Sequence, residues 1–279
     1  MTDHGIIYLL LGTKHSVVAA VSLYTLRQHY PVQPVTIFCG DETAKPYAEA
    51  IAKASSSDIR MLKTDQVKRN RGYTAKPMMP SLSPYENTIQ LDGDTVIAGR
   101  FDELWPIRPD ETVITSFSNW VTTGSGMRKR IEKWRGVAPD YVDRALSCDY
   151  PAINTGIVAY GQDALVARQM WPAMTAKMAG SFIADEIAMQ LLFPEPTIRV
   201  VDDKWNWSPA YGHARVDMRI VHHHGKKACR PKNLPFWWPY FKACWSANFA
   251  DIQEWCPAGD SRLREYLQVH HPAMIASTQ

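Results

Sequence analysis

The residues best suited to chemistry in this sequence are two aspartates that follow an apolar run. Residues 87–97 read Asn-Thr-Ile-Gln-Leu-Asp-Gly-Asp-Thr-Val-Ile, so Asp92 and Asp94 flank Gly93. The run before them predicts a strand, and the glycine lets another group approach the backbone closely. Two carboxylates at a strand end can share one Mn²⁺ or Mg²⁺ ion, whose remaining ligands are commonly phosphate oxygens of a substrate. An ordinary Asp-Gly turn is the alternative interpretation.

A second group of candidate ligands follows another predicted strand. It contains three histidines, a glycine and two lysines: His222, His223, His224, Gly225, Lys226 and Lys227. On a strand, the first and third histidines point to one face and the second to the other. The group therefore predicts a metal ligand among the histidines, a glycine that lets another group approach the backbone closely, and a cation that binds phosphate. Hydrogen-bonded structural histidines are one alternative, and a zinc site that includes Cys229 is another, although its spacing lacks the usual ligand pairs.

Other polar residues stand at predicted element boundaries. Lys76 opens a helical segment ahead of the aspartate strand and could face back toward it. Asn154 and Gly156 lie at the predicted entrance of a further buried strand. Asp185 and Glu186 fall in the first turn of a predicted helix, where the helix dipole by itself favours carboxylates. We expect these side chains to orient a substrate near the aspartates.

Alternating strands and helices must position these side chains. Apolar runs predict strands at residues 6–11, 35–38 and 59–62, with a helix from residue 16 and another at residues 44–54 between them. This order is typical of an α/β protein with a mostly parallel sheet flanked by helices. Such sheets bind ligands beyond the carboxyl ends of their strands. The loop after the first strand and the aspartate pair both lie at such ends.

The remaining segments predict additions to this sheet. Residues 119–149 are polar and weakly periodic, which indicates either a lid or a helical decoration with charges in solvent. Residues 231–245 are crowded with aromatic side chains, which predicts a layer packed on the core; with residues 205–207 they also provide a candidate acceptor surface. We expect one main domain over residues 1–232 and a C-terminal extension over residues 233–279.

Composition excludes several classes of protein. The chain has 279 residues, of which 46% are hydrophobic and 21% charged, as expected of a globular protein. A net charge of +3 is too small to predict nucleic acid as the main partner. The five scattered cysteines form no CxxC pair and predict a reduced, cytoplasmic protein. No signal peptide or transmembrane segment is predicted, whereas the aromatic C-terminal part leaves peripheral membrane contact open.

Taken in order, these stretches resemble the metal-dependent nucleotide-sugar glycosyltransferases of the GT-A fold. The resemblance is to the family 8-like group that includes glycogenin and the lipooligosaccharide galactosyltransferases, and it extends from residue 6 to about residue 231. Leu-Asp-Gly-Asp-Thr is similar to the family's Leu-Asp-Ala-Asp-Thr, and Thr74-Ala75-Lys76 to its Thr-Lys-Leu turn. Asn154-Thr155-Gly156 resembles its Asn-Ala-Gly strand entrance.

Two departures from the family pattern concern the site. Glu186 stands after Asp185 where the family has Asp-Gln. His222 and Gly225 match the family's His-x-x-Gly-x-x-Lys signature, but Ala228 occupies the lysine position. The phosphate cation is then one of Lys226, Lys227 and Arg230, and His224 is the alternative metal ligand.

The resemblance implies a role for each matched residue. The implied metal ligands are Asp92, Asp94 and His222, and the implied catalytic residues are Lys76, Asn154, Asp185 and Glu186. The implied nucleotide-binding residues are Leu9, Leu10, Leu11, Gly12, Thr13, His15, Lys76, Asp92, Gly93, Asp94, Gly225, Lys226 and Lys227. The implied reaction moves a sugar from a nucleoside diphosphate sugar, UDP-sugar foremost, to a hydroxyl of a glycan, lipid-linked or protein acceptor, with retention of anomeric configuration.

Two alternative functions use the same sheet and carboxylates. A sugar nucleotidyltransferase normally carries a Gly-rich loop with a basic residue after its first strand, and Gly12-Thr13-Lys14 is a poor version of it. A non-catalytic module that binds a nucleotide or carbohydrate could retain the fold, but the intact metal ligands argue against it.

Overall fold

A computed structural model describes residues 3–62, 74–178, 181, 183–210, 215–223, 234–259 and 261–276. The described residues form nine strands, which in chain order are β1 His4–Leu10, β2 Val35–Cys39, β3 Asp58–Met61, β4 Asn87–Leu91, β5 Thr95–Ile97, β6 Thr112–Val121, β7 Pro151–Tyr160, β8 Ile198–Val201 and β9 Ile220–His222. Seven of them form one sheet in the order β3-β2-β1-β4-β7-β6-β8, and β5 pairs with β9 in a second, two-stranded sheet.

The large sheet is mostly parallel, as predicted. Four of its six strand pairings are parallel, and only the pairings of β7 with β4 and β6 are antiparallel. Both faces of β1 are buried, because Ile6, Tyr8 and Leu10 join one apolar core while Ile7 joins the other. A strand buried on both faces reads as a continuous apolar run, which is why β1 was recognisable in the sequence.

Helices cover both faces of the sheet. The α-helices of the described residues are Ser16–His29, Lys45–Ser55, Met79–Leu82, Ser125–Glu132, Pro139–Leu146, Trp171–Lys177, Ala184–Leu192, Leu234–Ser246, Ile252–Gly259, Ser261–His270 and Pro272–Ala276. None of the helices in this part of the chain has the length and apolar character that a bilayer crossing requires.

The segment at residues 119–149 is packed rather than irregular. β6 extends to Val121, and two helices follow, whose apolar side chains Met127, Ile131 and Val142 are buried in the core. Arg128 on the first helix is exposed. The segment is therefore a helical addition packed on the core, with Arg128 in solvent and Arg130 close to Glu186.

The aromatic C-terminal part packs on the core. Trp237 and Phe241 are 1% and 0% exposed and belong to the same apolar core as β1. Their helix lies against helix Ser16–His29, and the Trp238 ring stacks on His271 with 4.4 Å between ring centroids. These aromatic side chains cover the core, whereas the division of the chain between residues 232 and 233 stays a prediction.

The strand after the helical addition begins earlier than predicted. β7 starts at Pro151, so Asn154 and Gly156 lie inside the strand and not in a turn at its entrance. The pairing of β6 with β7 shifts register between Ile114 and Thr115, so that Ile114 pairs with Val158 and Thr115 pairs with Asn154. Because β7 runs antiparallel to β4, Leu91 at the carboxyl end of β4 pairs with Ile157, and the first half of β7 lies beyond that end.

Candidate active site

A two-stranded sheet brings the candidate metal ligands together. β5 directly follows the turn at residues 92–94 and pairs with β9, which places Thr95 opposite His222. The backbone N–H of His223 donates to the carbonyl oxygen of Asp94 over 2.9 Å. On the other side of the turn, the Thr95 hydroxyl donates to the Asp92 carbonyl oxygen over 2.8 Å. Residues more than 120 positions apart in the sequence are thereby held in one register.

The side chains of Asp92, Asp94 and His222 form a cluster of metal-ligating atoms. One ligand atom from each lies within 4.8 Å of the others. Nε2 of His222 is 3.2 Å from Oδ1 of Asp94 and 3.8 Å from Oδ2 of Asp92. Burial by itself would lower the pKa of His222, but attraction to the two carboxylates outweighs burial and raises that pKa. Two carboxylates and one imidazole are a ligand set that fits Mn²⁺ or Mg²⁺.

Lys76 places a positive charge beside this cluster. It begins the short turn Lys76–Met78, and its Nζ lies 2.7 and 2.8 Å from the two carboxylate oxygens of Asp92. The same Nζ is 3.7 Å from Oδ2 of Asp185. Burial alone would lower the pKa of Lys76, but these carboxylates outweigh burial and raise it. Lys76 is therefore a fixed cation between two candidate site carboxylates, and it faces the site as predicted.

Asp185 is a buried carboxylate that lies beside Lys76. It lies in the first turn of helix Ala184–Leu192, and its Oδ2 accepts a hydrogen bond from the Thr155 hydroxyl over 3.0 Å. Its Oδ1 is buried and accepts no hydrogen bond from any described residue. Burial raises the pKa of this carboxyl, and Lys76 opposes the rise. A buried acceptor of this kind is costly unless something else donates to it.

Glu186 is a second carboxyl group near the cluster whose pKa is raised. Its side chain is only 14% exposed, and its Oε2 accepts a hydrogen bond from Nδ2 of Asn154 over 3.0 Å. Burial and repulsion from Asp185 raise the pKa of Glu186 to about 7. Arg130, on the helical addition, lies 3.9 Å away and opposes that rise. The group is thus about half protonated at neutral pH.

Gly156 is required by the packing of His222. A Cβ added at Gly156 would lie 2.4 Å from Cε1 and 2.5 Å from Nδ1 of the His222 ring. Real Cβ atoms do not approach other atoms so closely, so a side chain here would displace the imidazole. A side chain at Gly93 would make a milder clash, since a Cβ there would lie 3.2 Å from the Cβ of Ala19 in the first helix. The glycine in each predicted motif therefore admits a neighbouring group.

Several solved structures with a similar architecture are glycosyltransferases. Mouse xyloside xylosyltransferase 1 in its apo form has a TM-score of 0.54 and 14% identity, over 81% of this chain and 99% of that one. The galactosyltransferase LgtC, in complex with donor and acceptor sugar analogues, has a TM-score of 0.57 and 10% identity, over 86% and 95%. The glycosyltransferase GlyE of Streptococcus pneumoniae TIGR4 has a TM-score of 0.59 and 13% identity, over 90% and 64%. This chain has the GT-A fold.

No family model matches the sequence, and no curated protein matches it. Because the identity to the solved structures is only 10–14%, the likeness concerns the GT-A fold and not the activity.

The nucleotide-binding loop expected of the GT-A fold follows β1. Gly12 has φ +62°, a left-handed conformation that favours glycine, and its N–H donates to Oδ2 of Asp41 over 2.8 Å. The side chain of Leu10 is buried in the core, so only its backbone could face a ligand. The side chain of Leu11 lies against Gly40. The nucleotide-binding role of Leu9, Leu10, Leu11, Gly12, Thr13 and His15 stays a prediction.

Several predicted residues lie outside the described part of the chain. These are His224, Gly225, Lys226, Lys227, Cys229 and Arg230. The phosphate lysine, the alternative His224 ligand and the zinc site that would use Cys229 therefore remain predictions. The described cysteines Cys39, Cys148 and Cys244 carry free thiols.

The predicted acceptor surface at residues 205–207 is wrong. Trp205, Asn206 and Trp207 are 4%, 2% and 3% exposed, and Trp207 packs edge-on against Phe236 with 4.9 Å between ring centroids. Aromatic residues in a sequence look the same whether they face a ligand or a core. Sequence reasoning gave no contact with the site to Thr155 or Arg130, and it took Asn206 for part of that surface. A single hydroxyl, guanidinium or amide group has no distinctive spacing that would mark it.

Proposed function

We propose that this chain is a glycosyltransferase that moves a sugar from a nucleoside diphosphate sugar to an acceptor hydroxyl. One observation carries the proposal: within a GT-A fold, Asp92, Asp94 and His222 converge at the carboxyl end of β4, with the Lys76 ammonium beside them. We further propose UDP-sugar as the donor and retention of anomeric configuration, in line with the family that the sequence motifs resemble.

The proposed cofactor is Mn²⁺ or Mg²⁺. Asp92, Asp94 and His222 would hold the ion, which supplies charge neutralisation for the diphosphate leaving group. The chemistry of the ligand set supports this assignment, because hard carboxylate oxygens predominate and only one nitrogen is offered.

The other site residues would orient the donor sugar. Oδ1 of Asp185 is buried without a protein donor among the described residues, so a sugar hydroxyl could satisfy it. Thr155 holds the second oxygen of that carboxylate in place, and Lys76 balances its charge. Asn154 and Glu186 add two further polar side chains, and the Asn154 amide donates a hydrogen bond to the Glu186 carboxylate. Catalysis by positioning and electrostatics requires such fixed polar groups around the reacting carbon.

The acceptor would be a glycan, a lipid-linked molecule or a protein. We also propose a cytoplasmic location, and peripheral membrane contact stays open. The structural neighbours are glycosyltransferases, so they do not favour the sugar nucleotidyltransferase alternative.

Thermal melting with nucleotides and metal tests the proposal. We expect UDP and Mn²⁺ together to raise the melting temperature, because a ligand at about 100 times its Kd stabilises the native state by ~2.7 kcal/mol. Asp94→Ala should lose this shift and metal-dependent turnover of UDP-sugar while keeping its circular dichroism. Asp110→Ala, which removes an exposed carboxylate, is the matched control and should keep the shift. A wild type that responds to no nucleotide with Mn²⁺ present, or an Asp94→Ala variant with full activity, would refute the assignment.

A further inference from the structure

The side chain of Asn206 lies buried between His222 of the metal-ligand cluster and Asn154, which we propose to orient the donor sugar. It is 2% exposed, and its Oδ1 is 2.9 Å from Nδ1 of His222. Its Nδ2 lies 2.9 Å from Oδ1 of Asn154 and 2.8 Å from the Thr115 hydroxyl. The sequence places Asn206 between two tryptophans and gives it no evident role.

A backbone group fixes the direction of this hydrogen-bond chain. The N–H of Gly156 can only donate, and it does so to Oδ1 of Asn154 over 2.8 Å. The Asn154 amide is therefore oriented with its oxygen toward Gly156 and its nitrogen toward Glu186, where it donates over 3.0 Å. An amide reversed at this position would set two donors against each other.

The orientation of the Asn154 amide determines that of the Asn206 amide, which in turn determines which ring nitrogen of His222 carries the proton. Because Oδ1 of Asn154 is an acceptor, the atom of Asn206 that faces it must be the donating Nδ2. Oδ1 of Asn206 then faces Nδ1 of His222, and an amide oxygen only accepts. Nδ1 of His222 must therefore carry a proton. In the neutral ring Nε2 is left with the lone pair, and it faces Asp94 and Asp92.

We propose that Asn206 is a positioning residue that holds His222 in the Nδ1-protonated tautomer and so presents Nε2 to a divalent cation. A metal-bound histidine commonly donates its second ring N–H to a fixed acceptor, which sets both the tautomer and the ring orientation. Here the acceptor is itself oriented by the amide of Asn154, so a donor-sugar residue and a metal ligand share one hydrogen-bond chain. The proposal rests on the metal site of the proposed function.

Mn²⁺ binding by Asn206 variants tests this inference. Asn206→Leu has a similar shape and no acceptor, and we expect it to weaken Mn²⁺ binding, measured by isothermal titration calorimetry, by about 10- to 100-fold. Thr115→Val removes the other partner of the Asn206 amide without touching its oxygen, and it is the matched control with wild-type affinity expected.

A spectroscopic readout separates positioning from general loss of structure. In ¹⁵N-labelled, metal-free wild-type protein at a pH where the imidazole is neutral, we expect the His222 ring shifts of the Nδ1-protonated tautomer. A wild type in the Nε2-protonated tautomer would overturn the inference even if Asn206→Leu failed to fold. Equal Mn²⁺ affinity of Asn206→Leu and wild type would overturn it as well. Absence of Mn²⁺ binding by wild-type protein would instead refute the proposed function.

Discussion

Replacing Glu186 by glutamine should change how stability depends on pH. Burial and the nearby Asp185 carboxylate raise the pKa of Glu186 from 4.5 to about 7 in the folded protein. Between these two values the folded protein holds a proton that the unfolded chain has released. The free energy of unfolding therefore falls as pH rises through this window, which is the sign expected of a carboxyl group whose pKa is raised by folding.

The magnitude follows from the size of the shift. Integrated from pH 5 to pH 8, the raised pKa of Glu186 lowers the free energy of unfolding by ~2.5 kcal/mol. Glutamine keeps the shape of the side chain and an oxygen that accepts from Nδ2 of Asn154, but it cannot ionise. We therefore expect the free energy of unfolding of Glu186→Gln, relative to that of wild type, to rise by ~2.5 kcal/mol from pH 5 to pH 8. This corresponds to roughly 5 °C in melting temperature.

Urea unfolding with EDTA present, at pH 5 and pH 8, measures this difference. EDTA keeps metal binding from contributing to either protein. Glu103→Gln changes an exposed carboxylate and is the matched control, for which we expect the pH dependence of wild type. If Glu186→Gln and wild type lose the same stability from pH 5 to pH 8, then Glu186 has an ordinary pKa, and the reasoning from burial and Asp185 repulsion is refuted.

Three further predictions concern packing. Gly156→Ala should lower the free energy of unfolding by ~1–3 kcal/mol and weaken Mn²⁺ binding, because the new methyl group overlaps the His222 ring. Urea unfolding measures the first effect and calorimetry the second. Gly136→Ala is the control, where a Cβ meets nothing within 4 Å, and it should leave both quantities unchanged. Trp237→Ala should cost ~3–5 kcal/mol because this ring is 1% exposed in the main core. A chain that ends at residue 232 should fail to melt cooperatively for the same reason, and a cooperative transition at the wild-type temperature would show that residues 233–279 fold separately.

Much of the fold could be predicted because its signals are local. β1 and β2 are buried on both faces and appear in the sequence as mainly apolar runs, which in β2 include only one polar residue, Thr36. The boundaries near residue 119 could not be predicted in the same way, since the end of β6 is set by its pairing with β7 and by a register shift. The aromatic run at residues 205–207 misled the interpretation, because aromaticity predicts burial and ligand contact equally well.

The sequence by itself determined the chemistry available at the site. Asp92 and Asp94 follow one strand and are two residues apart, so their proximity at that end of the sheet follows from local geometry. Asp185 stands in the first turn of a helix, where the sequence marks it as a candidate but does not bring it to the aspartates. The motif order also indicated the GT-A architecture, which the structural neighbours confirm.

Only the tertiary structure decided which atoms of the site face each other. His222 reaches Asp94 through the pairing of β5 with β9, and its tautomer depends on Asn206 and on the Asn154 amide. Hydrogen-bond direction is a property of three-dimensional contacts between residues that are far apart in sequence, so no spacing rule encodes it. The pKa of Glu186 has the same origin, because burial and neighbouring charges exist only once the chain has folded.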